Sequence, residues 1–165
     1  YMDNYSELKT EVKLYEKKRS EYLSKNLKCK MTYAKIINSK DGIIKNNEPL
    51  MFELDFDCNE NVSALKFRIE FKTFGHGVAI ACANSTIKCK KGEKLHILLK
   101  ADISQLSDGL YETAFVLYEQ ELGLSMDLDS VLGFVFQKVN DDDSAIKWNP
   151  TWGNVQFPDI EVQSI

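Results

Sequence analysis

The sequence predicts an all-β fold, an antiparallel β-sandwich of immunoglobulin-like or jelly-roll-like architecture with an N-terminal linker helix. After Lys30, apolar and polar residues alternate with a period of two, which is typical of strands with one buried face. Turn-forming Gly and Asp residues separate the alternating runs. No helical pattern of crossover length lies between them, which excludes βαβ units. The 165 residues suffice for one domain with its own core.

The first part of the chain has a different pattern. Residues 3–26 contain neither Gly nor Pro, and apolar residues recur there at spacings of three and four: Tyr5, Leu8, Val12, Tyr15 and Tyr22. This stripe is typical of an amphipathic helix. We therefore expect a helical linker at 1–29 and a β-sandwich domain at 30–165. The helix either packs on its own domain or serves as a linker or dimer contact.

Two runs predict the core most clearly. The apolar positions of the first are Leu50, Phe52, Leu54, Phe56 and Cys58, and those of the second are Leu65, Phe67, Ile69 and Phe71. Since successive side chains of a strand point to opposite faces, these residues belong in the core and Lys66, Arg68 and Lys72 point outward. Further strands are expected at 31–38, 77–83, 94–101, 110–118, 131–138 and 155–162.

Composition and motifs exclude several function classes. The net charge is −4, which argues against a nucleic-acid partner. The sequence has neither a G-x-x-x-x-G-K-[ST] phosphate-binding loop nor a G-x-S-x-G nucleophile motif. His96 alternates with apolar neighbours and is expected on an outer strand face, not in a catalytic dyad. We predict a domain that is not an enzyme and needs no cofactor.

We also predict no metal site. The four cysteines lack C-x₂-C spacing, which argues against a closed zinc site and favours reduced thiols; they are Cys29, Cys58, Cys82 and Cys89. Cys58 and Cys82 lie on apolar stripes and are expected in the core. The acidic runs 127–129 and 141–143 lack an EF-hand loop, so we interpret them as surface charge.

The tail and one strand suggest contacts with a sugar. Trp148 and Trp152 lie in a polar segment, where they either stack on sugar rings or anchor the tail on the sandwich. Small residues occupy alternate positions at Ala79, Ala81 and Ala83, which leaves room for a sugar ring or for a packed neighbour. The side chains expected around this floor are Arg68, His76, Asn84, Glu112 and Tyr118.

Residues 31–162 resemble one known family through short segments in a fixed order. These are Ile36-Ile37-Asn38 before Asp41-Gly42, Glu48-Pro49-Leu50, Phe67-Arg68-Ile69, Phe74-Gly75, Ala83-Asn84-Ser85, Gly92-Glu93, Leu106 to Tyr111, and Trp148 to Gly153 followed by Pro158. The family is the C-terminal carbohydrate-binding domain of Wzt-type ATPase subunits, from ABC transporters that export polysaccharides.

The resemblance implies a function. A domain of this kind recognises a lipid-linked cell-surface polysaccharide at the cytoplasmic, inner face of the cell membrane, and other parts of the transporter hydrolyse ATP and carry out export. It implies a homodimer in which a C-terminal strand can be exchanged between subunits, and contact with a membrane permease through an ATPase domain that this fragment lacks. The alternative hypothesis is a structural or protein-interaction sandwich that binds no glycan.

Overall fold

Nine strands make up the computed structural model. It describes residues 8–13, 28–39, 41–45, 47–74, 76–119, 123–138 and 153–155, with the backbone alone for 118, 119 and 123–131. In chain order the strands are β1 (Glu11–Lys13), β2 (Cys29–Ile36), β3 (Ile43–Lys45), β4 (Leu50–Cys58), β5 (Val62–Thr73), β6 (His76–Cys89), β7 (Lys94–Ala101), β8 (Gly109–Glu119) and β9 (Gly123–Gln137). No helix long and apolar enough to cross a membrane occurs in these ranges.

The strands form two sheets. The four-stranded sheet has the order β1-β2-β4-β7, and the five-stranded sheet has the order β3-β9-β8-β5-β6. All paired neighbours are antiparallel except β3 and β9, which run parallel. The predicted all-β sandwich is therefore confirmed, with β3 as an addition that the sequence did not indicate. The strand expected at 155–162 lies outside the described residues apart from Val155.

The core lies between the sheets, on the alternating positions of β4 and β5. The eight residues predicted there are each at most 3% exposed: Leu50, Phe52, Leu54, Phe56, Leu65, Phe67, Ile69 and Phe71. Aromatic rings meet across the interface, with Phe52 and Phe115 edge to face at 5.5 Å between centroids. Phe56 and Phe67 do the same at 6.4 Å. The predicted register of these two strands is confirmed.

The predicted N-terminal helix is wrong for residues 8–13, because Glu11–Lys13 forms strand β1 at the edge of the four-stranded sheet. Val12 lies opposite Ala34 and is buried, while the residues on either side of it are exposed. Glu11 accepts a hydrogen bond from Tyr33 Oη at 3.0 Å and pairs with Lys35 Nζ at 3.3 Å. Because these partners are distant in sequence, the spacing of apolar residues within this segment could not indicate them. The remainder of the expected helix lies outside the described residues.

A buried tyrosine fixes the crossing from β7 to β8. Tyr111 Oη donates a hydrogen bond to the carbonyl oxygen of Ser107 at 2.9 Å, the geometry of a tyrosine corner. Ser107 in turn holds the start of the tail, since its backbone N donates to Asn154 O at 3.0 Å. Val155 forms an antiparallel bridge with Leu106. One cluster of hydrogen bonds therefore sets both the entry of β8 and the path of residues 153–155.

Two Phe→Ala substitutions should differ strongly in their effect on stability, because one removes an aromatic contact between the sheets and the other removes an exposed ring. Phe115→Ala removes a fully buried ring that contacts Phe52 and Phe67, and should lower the free energy of unfolding by about 3–5 kcal/mol. Phe74→Ala at a 93% exposed position should change it by about 0.5 kcal/mol or less. Urea denaturation measures both. Equal effects would contradict this description of the core.

Candidate functional site

The sequence-predicted charged residues lie on the outer face of the five-stranded sheet. Arg68 is opposite Val116 of β8 and Cys82 of β6, and Glu112 is opposite Lys72. Arg68 is half-buried and already paired, because its Nη2 lies 2.6 Å from Glu70 Oε1 and its Nε donates to the same oxygen at 2.9 Å. A ligand on this face would therefore meet an ion pair.

The other predicted site residues lie apart from one another. His76 begins β6 at the hairpin, opposite Thr73, and Asn84 lies in the part of β6 where its register with β5 shifts; both are exposed. The backbone of Tyr118 pairs with Lys66, and its side chain is outside the described part of the chain. Trp148 and Trp152 also lie outside the described residues.

The alanines face the opposite way from Arg68. Ala79 is opposite Phe71, and Ala81 is opposite Ile69, so both belong to the inner face of the sheet. Between and after these alanines, Ile80 and Cys82 point outward, with Ile80 66% exposed and Cys82 exposed rather than in the core as expected. The reason is that β6 is an edge strand, where the core ends. The structure thus separates the alanine floor from the charged group predicted to surround it.

The alanines instead line a cleft between the open edges of the two sheets. Two adjoining cavities share Ala81 and Asp102: one of about 240 Å³ lies between β6 and the segment that follows β7, and one of about 200 Å³ lies between β6 and the end of β7. Phe67, Ile69 and Phe71 close the inner end. Methyl side chains on β6 are too short to fill the gap, which therefore stays open. Together the cavities fall within the range of about 300–1,000 Å³ typical of small-molecule sites.

The polar rim of the cleft comes from residues that the sequence analysis missed. Lys100 is the penultimate residue of β7, and Asp102, Ser104 and Gln105 follow on the segment leading to β8; all four are exposed. Asp102 Oδ1 accepts a hydrogen bond from Ser104 N at 2.9 Å, and this bond lowers the pKa of the carboxyl group. The Asp-x-Ser pattern indicates such a turn. Its position beside a cleft depends on the tertiary fold.

The cleft offers binding groups rather than a catalytic pair. Among the described residues that line it, Asp102 is the one carboxylate. Glycosidases of the usual kind need two carboxyl groups on either side of the scissile bond. The lining combines an apolar floor with hydrogen-bonding side chains at the rim, an arrangement typical of small-molecule binding sites.

A second polar cluster lies on the outer face of the four-stranded sheet. His96 Nδ1 is 2.8 Å from Asp55 Oδ1, and His96 Nε2 is 3.7 Å from Glu53 Oε1. The hydrogen bond with Asp55 is the main cause that raises the pKa of His96. The outward orientation predicted for this histidine is confirmed, and its carboxylate partners make it a charged surface group at mildly acidic pH.

The raised pKa of His96 predicts a pH-dependent part of the stability. The ion pair with Asp55 stabilises the fold fully below the unfolded-state pKa of about 6.5 and is lost as the pH rises through the higher folded-state pKa. The contribution of this pair to the free energy of unfolding should therefore decrease as the pH rises above about 6.5. In His96→Gln this component should be absent, whereas His76→Gln should keep it. Identical pH profiles for wild type and His96→Gln would contradict the prediction.

Comparison with known proteins gives a likeness of fold. No protein-family model matches the chain, and no curated protein matches it. Among solved structures, one described as "Crystal structure of the C-terminal domain of wzt" superposes with a TM-score of 0.64 and 12% sequence identity, over 84% of this chain and 86% of that one. The resemblance found in the sequence is confirmed at this level: the chain has the fold of the C-terminal domain of Wzt.

Proposed function

We propose that this chain is a non-catalytic polysaccharide-recognition domain of an ABC transporter ATPase subunit, and that it selects a cell-surface polysaccharide for export. The likeness to the Wzt C-terminal domain supports the transporter context. The observation that carries the binding role is the cleft between β6 and β7, with its alanine wall and polar rim.

The chemistry of the cleft suits a sugar. The C–H face of a pyranose ring can lie against Ala79, Ala81 and the apolar inner end, while its hydroxyl groups bond to the ionised carboxylate of Asp102 and to the side chains of Ser104 and Gln105. Each such bond replaces one to water, and a flexible glycan loses conformational entropy on binding, so the net affinity is modest.

The outer face of the five-stranded sheet is the other proposed location. Arg68 and Glu112 lie there, the backbone of Tyr118 pairs with Lys66 of β5, and His76 and Asn84 lie on the neighbouring β6. Trp148 and Trp152 remain proposed stacking residues. The ion pair between Arg68 and Glu70 occupies this face, which is why we favour the cleft.

Filling the cleft should weaken polysaccharide binding strongly. Ala81→Leu places a larger side chain in the space shared by both cavities, so the dissociation constant for polysaccharide purified from cells that express the protein should rise about tenfold or more, which is about 1.4 kcal/mol. Calorimetric titration measures it. The matched control is Ala64→Leu, at an exposed position of β5 outside the cleft, which should bind like wild type.

Two further titrations could contradict the proposed site or the proposed function. If Arg68→Ala loses binding while Ala81→Leu keeps it, the site is on the outer sheet face and not in the cleft. If wild type binds the polysaccharide no better than dextran, the recognition function itself is wrong, and the protein-interaction alternative replaces it. Melting temperatures of each variant establish that the fold is retained.

We further propose the homodimer that the resemblance implies, with a C-terminal strand exchanged between subunits. Among the described strands β6 has a neighbour on one side only, so its outer edge is a template for another strand. In the single chain, residues 153–155 pair with Leu106 and Ser107. The polysaccharide and a membrane permease are the proposed partners, at the cytoplasmic face of the membrane.

The dimer predicts a change of mass on truncation. Light scattering should give twice the chain mass for the full chain and one chain mass for a variant ending at residue 155. The strand that crosses between subunits would then lie beyond that point. A full chain that stays monomeric at high concentration would contradict the proposal, as would a truncated variant that stays dimeric.

A further inference from the structure

Three of the four cysteines meet at one end of the sandwich. Cys29 is the first residue of β2, Cys58 is the last of β4 and lies directly opposite it, and Cys89 is the last of β6. The Sγ atoms of Cys29 and Cys58 are 3.9 Å apart, and all three sulfurs lie within 4.8 Å of one another. Sequence separation hid this cluster, since no two of these cysteines are close in the chain.

The turn between β6 and β7 holds the cluster together. Cys58 N donates to Glu93 O at 2.9 Å, and Gly92 N donates to Cys58 O at 2.8 Å. The turn needs a positive φ of 84° at Gly92, which glycine adopts without strain. Because the turn follows Cys89 directly and leads into the other sheet, it brings the sulfur of the five-stranded sheet against the two of the four-stranded sheet.

We propose that Cys29, Cys58 and Cys89 form a binding site for a soft, thiophilic metal cation, with Zn²⁺ as the ion to test. At a Zn–S distance of about 2.3 Å, tetrahedral ligands lie about 3.8 Å apart, so the observed separations need little adjustment. Thiolate sulfur selects Zn²⁺ and Cu⁺ over the harder cations. In the described part of the chain no other three His, Cys, Asp or Glu side chains bring donor atoms this close together.

The electrostatics of the site agree with this assignment. Three thiolates around a divalent cation leave one negative charge, and the residues next to the three cysteines in the chain are mostly basic: Lys28, Lys30, Lys88 and Lys90, with Asp57 as the acidic one. Binding must release the thiol protons, so affinity should fall as the pH is lowered. Three sulfurs leave the fourth position of the zinc tetrahedron to a water or other oxygen ligand.

A redox pair is the weaker alternative. The attacking species in disulfide formation is the thiolate, and burial raises the pKa of the Cys29 thiol to about 12. Burial also raises the pKa of Cys58. Burial therefore works against the thiolate form at both sulfurs. A metal overcomes the same penalty by direct coordination, which deprotonates its thiol ligands.

A bound cation would link the two sheets. Cys29 and Cys58 belong to the four-stranded sheet, and Cys89 belongs to the five-stranded sheet. Because the metal binds the folded arrangement and not separated strands, it should raise the melting temperature. The site stands apart from the cleft and does not depend on the proposed polysaccharide function.

Cd²⁺ titration of the reduced full chain tests the proposal. A thiolate-to-cadmium charge-transfer band should rise to an end point at one equivalent, and protein first loaded with Zn²⁺ should release its zinc as Cd²⁺ is added. Cys29→Ala, Cys58→Ala and Cys89→Ala should each weaken binding about tenfold or more. The matched control is Cys82→Ala at the exposed cysteine of β6, which should titrate like wild type.

X-ray absorption of the zinc-loaded wild type tests the site without any substitution. It should show three sulfur ligands at about 2.3 Å. The proposal is overturned if no charge-transfer band forms at one equivalent, or if the band survives loss of all three buried cysteines. It is also overturned if mild oxidation joins Cys29 to Cys58 in a protein that binds neither cation, since the thiols would then be a redox pair.

Discussion

The aromatic contact between the two sheets is the constraint on which the rest of the structure depends. Phe52 projects from one sheet and Phe115 from the other, and the rings meet edge to face with Phe67 beside them. Because these rings are too large to be hidden within a single sheet, the sheets must pack face to face. The registers of β4, β5 and β8 then follow, since a shift of one residue would expose every one of these rings.

The cleft is the place where this packing ends. Aromatic and branched residues fill the space between the sheets as far as β5, but where β6 borders the cleft the inward positions are Ala79 and Ala81, with Ala83 beside them. The Tyr111 corner fixes the segment after β7, so Asp102 and Ser104 stand at the rim of that gap. The core is therefore filled as far as β5 and leaves a gap beside β6, and this gap is the proposed binding site.

Strong alternation made the central strands predictable. β4 and β7 run over the predicted ranges because every second residue is apolar. The helix predicted over residues 8–13 is wrong because a buried Val12 with distant partners fits a helical stripe as well as a strand. On β6 the bulkier Ile80 faces solvent and the alanines face inward, which only the position of this strand at the sheet edge explains. The sequence could not indicate the cysteine cluster either, because its three members come from separate strands.

Mapping the bound polysaccharide by NMR tests the central claim most directly. In a titration of isotope-labelled protein, the largest amide shifts should fall on Ala79 and Ala81 of β6 and on Ser104 and Gln105 of the segment after β7, which line the cleft. The amides of Arg68 and Val116, whose side chains belong to the outer face of the sheet, should shift little. Shifts concentrated on that outer face, or no shifts at saturating polysaccharide, would contradict the assignment of the cleft as the recognition site.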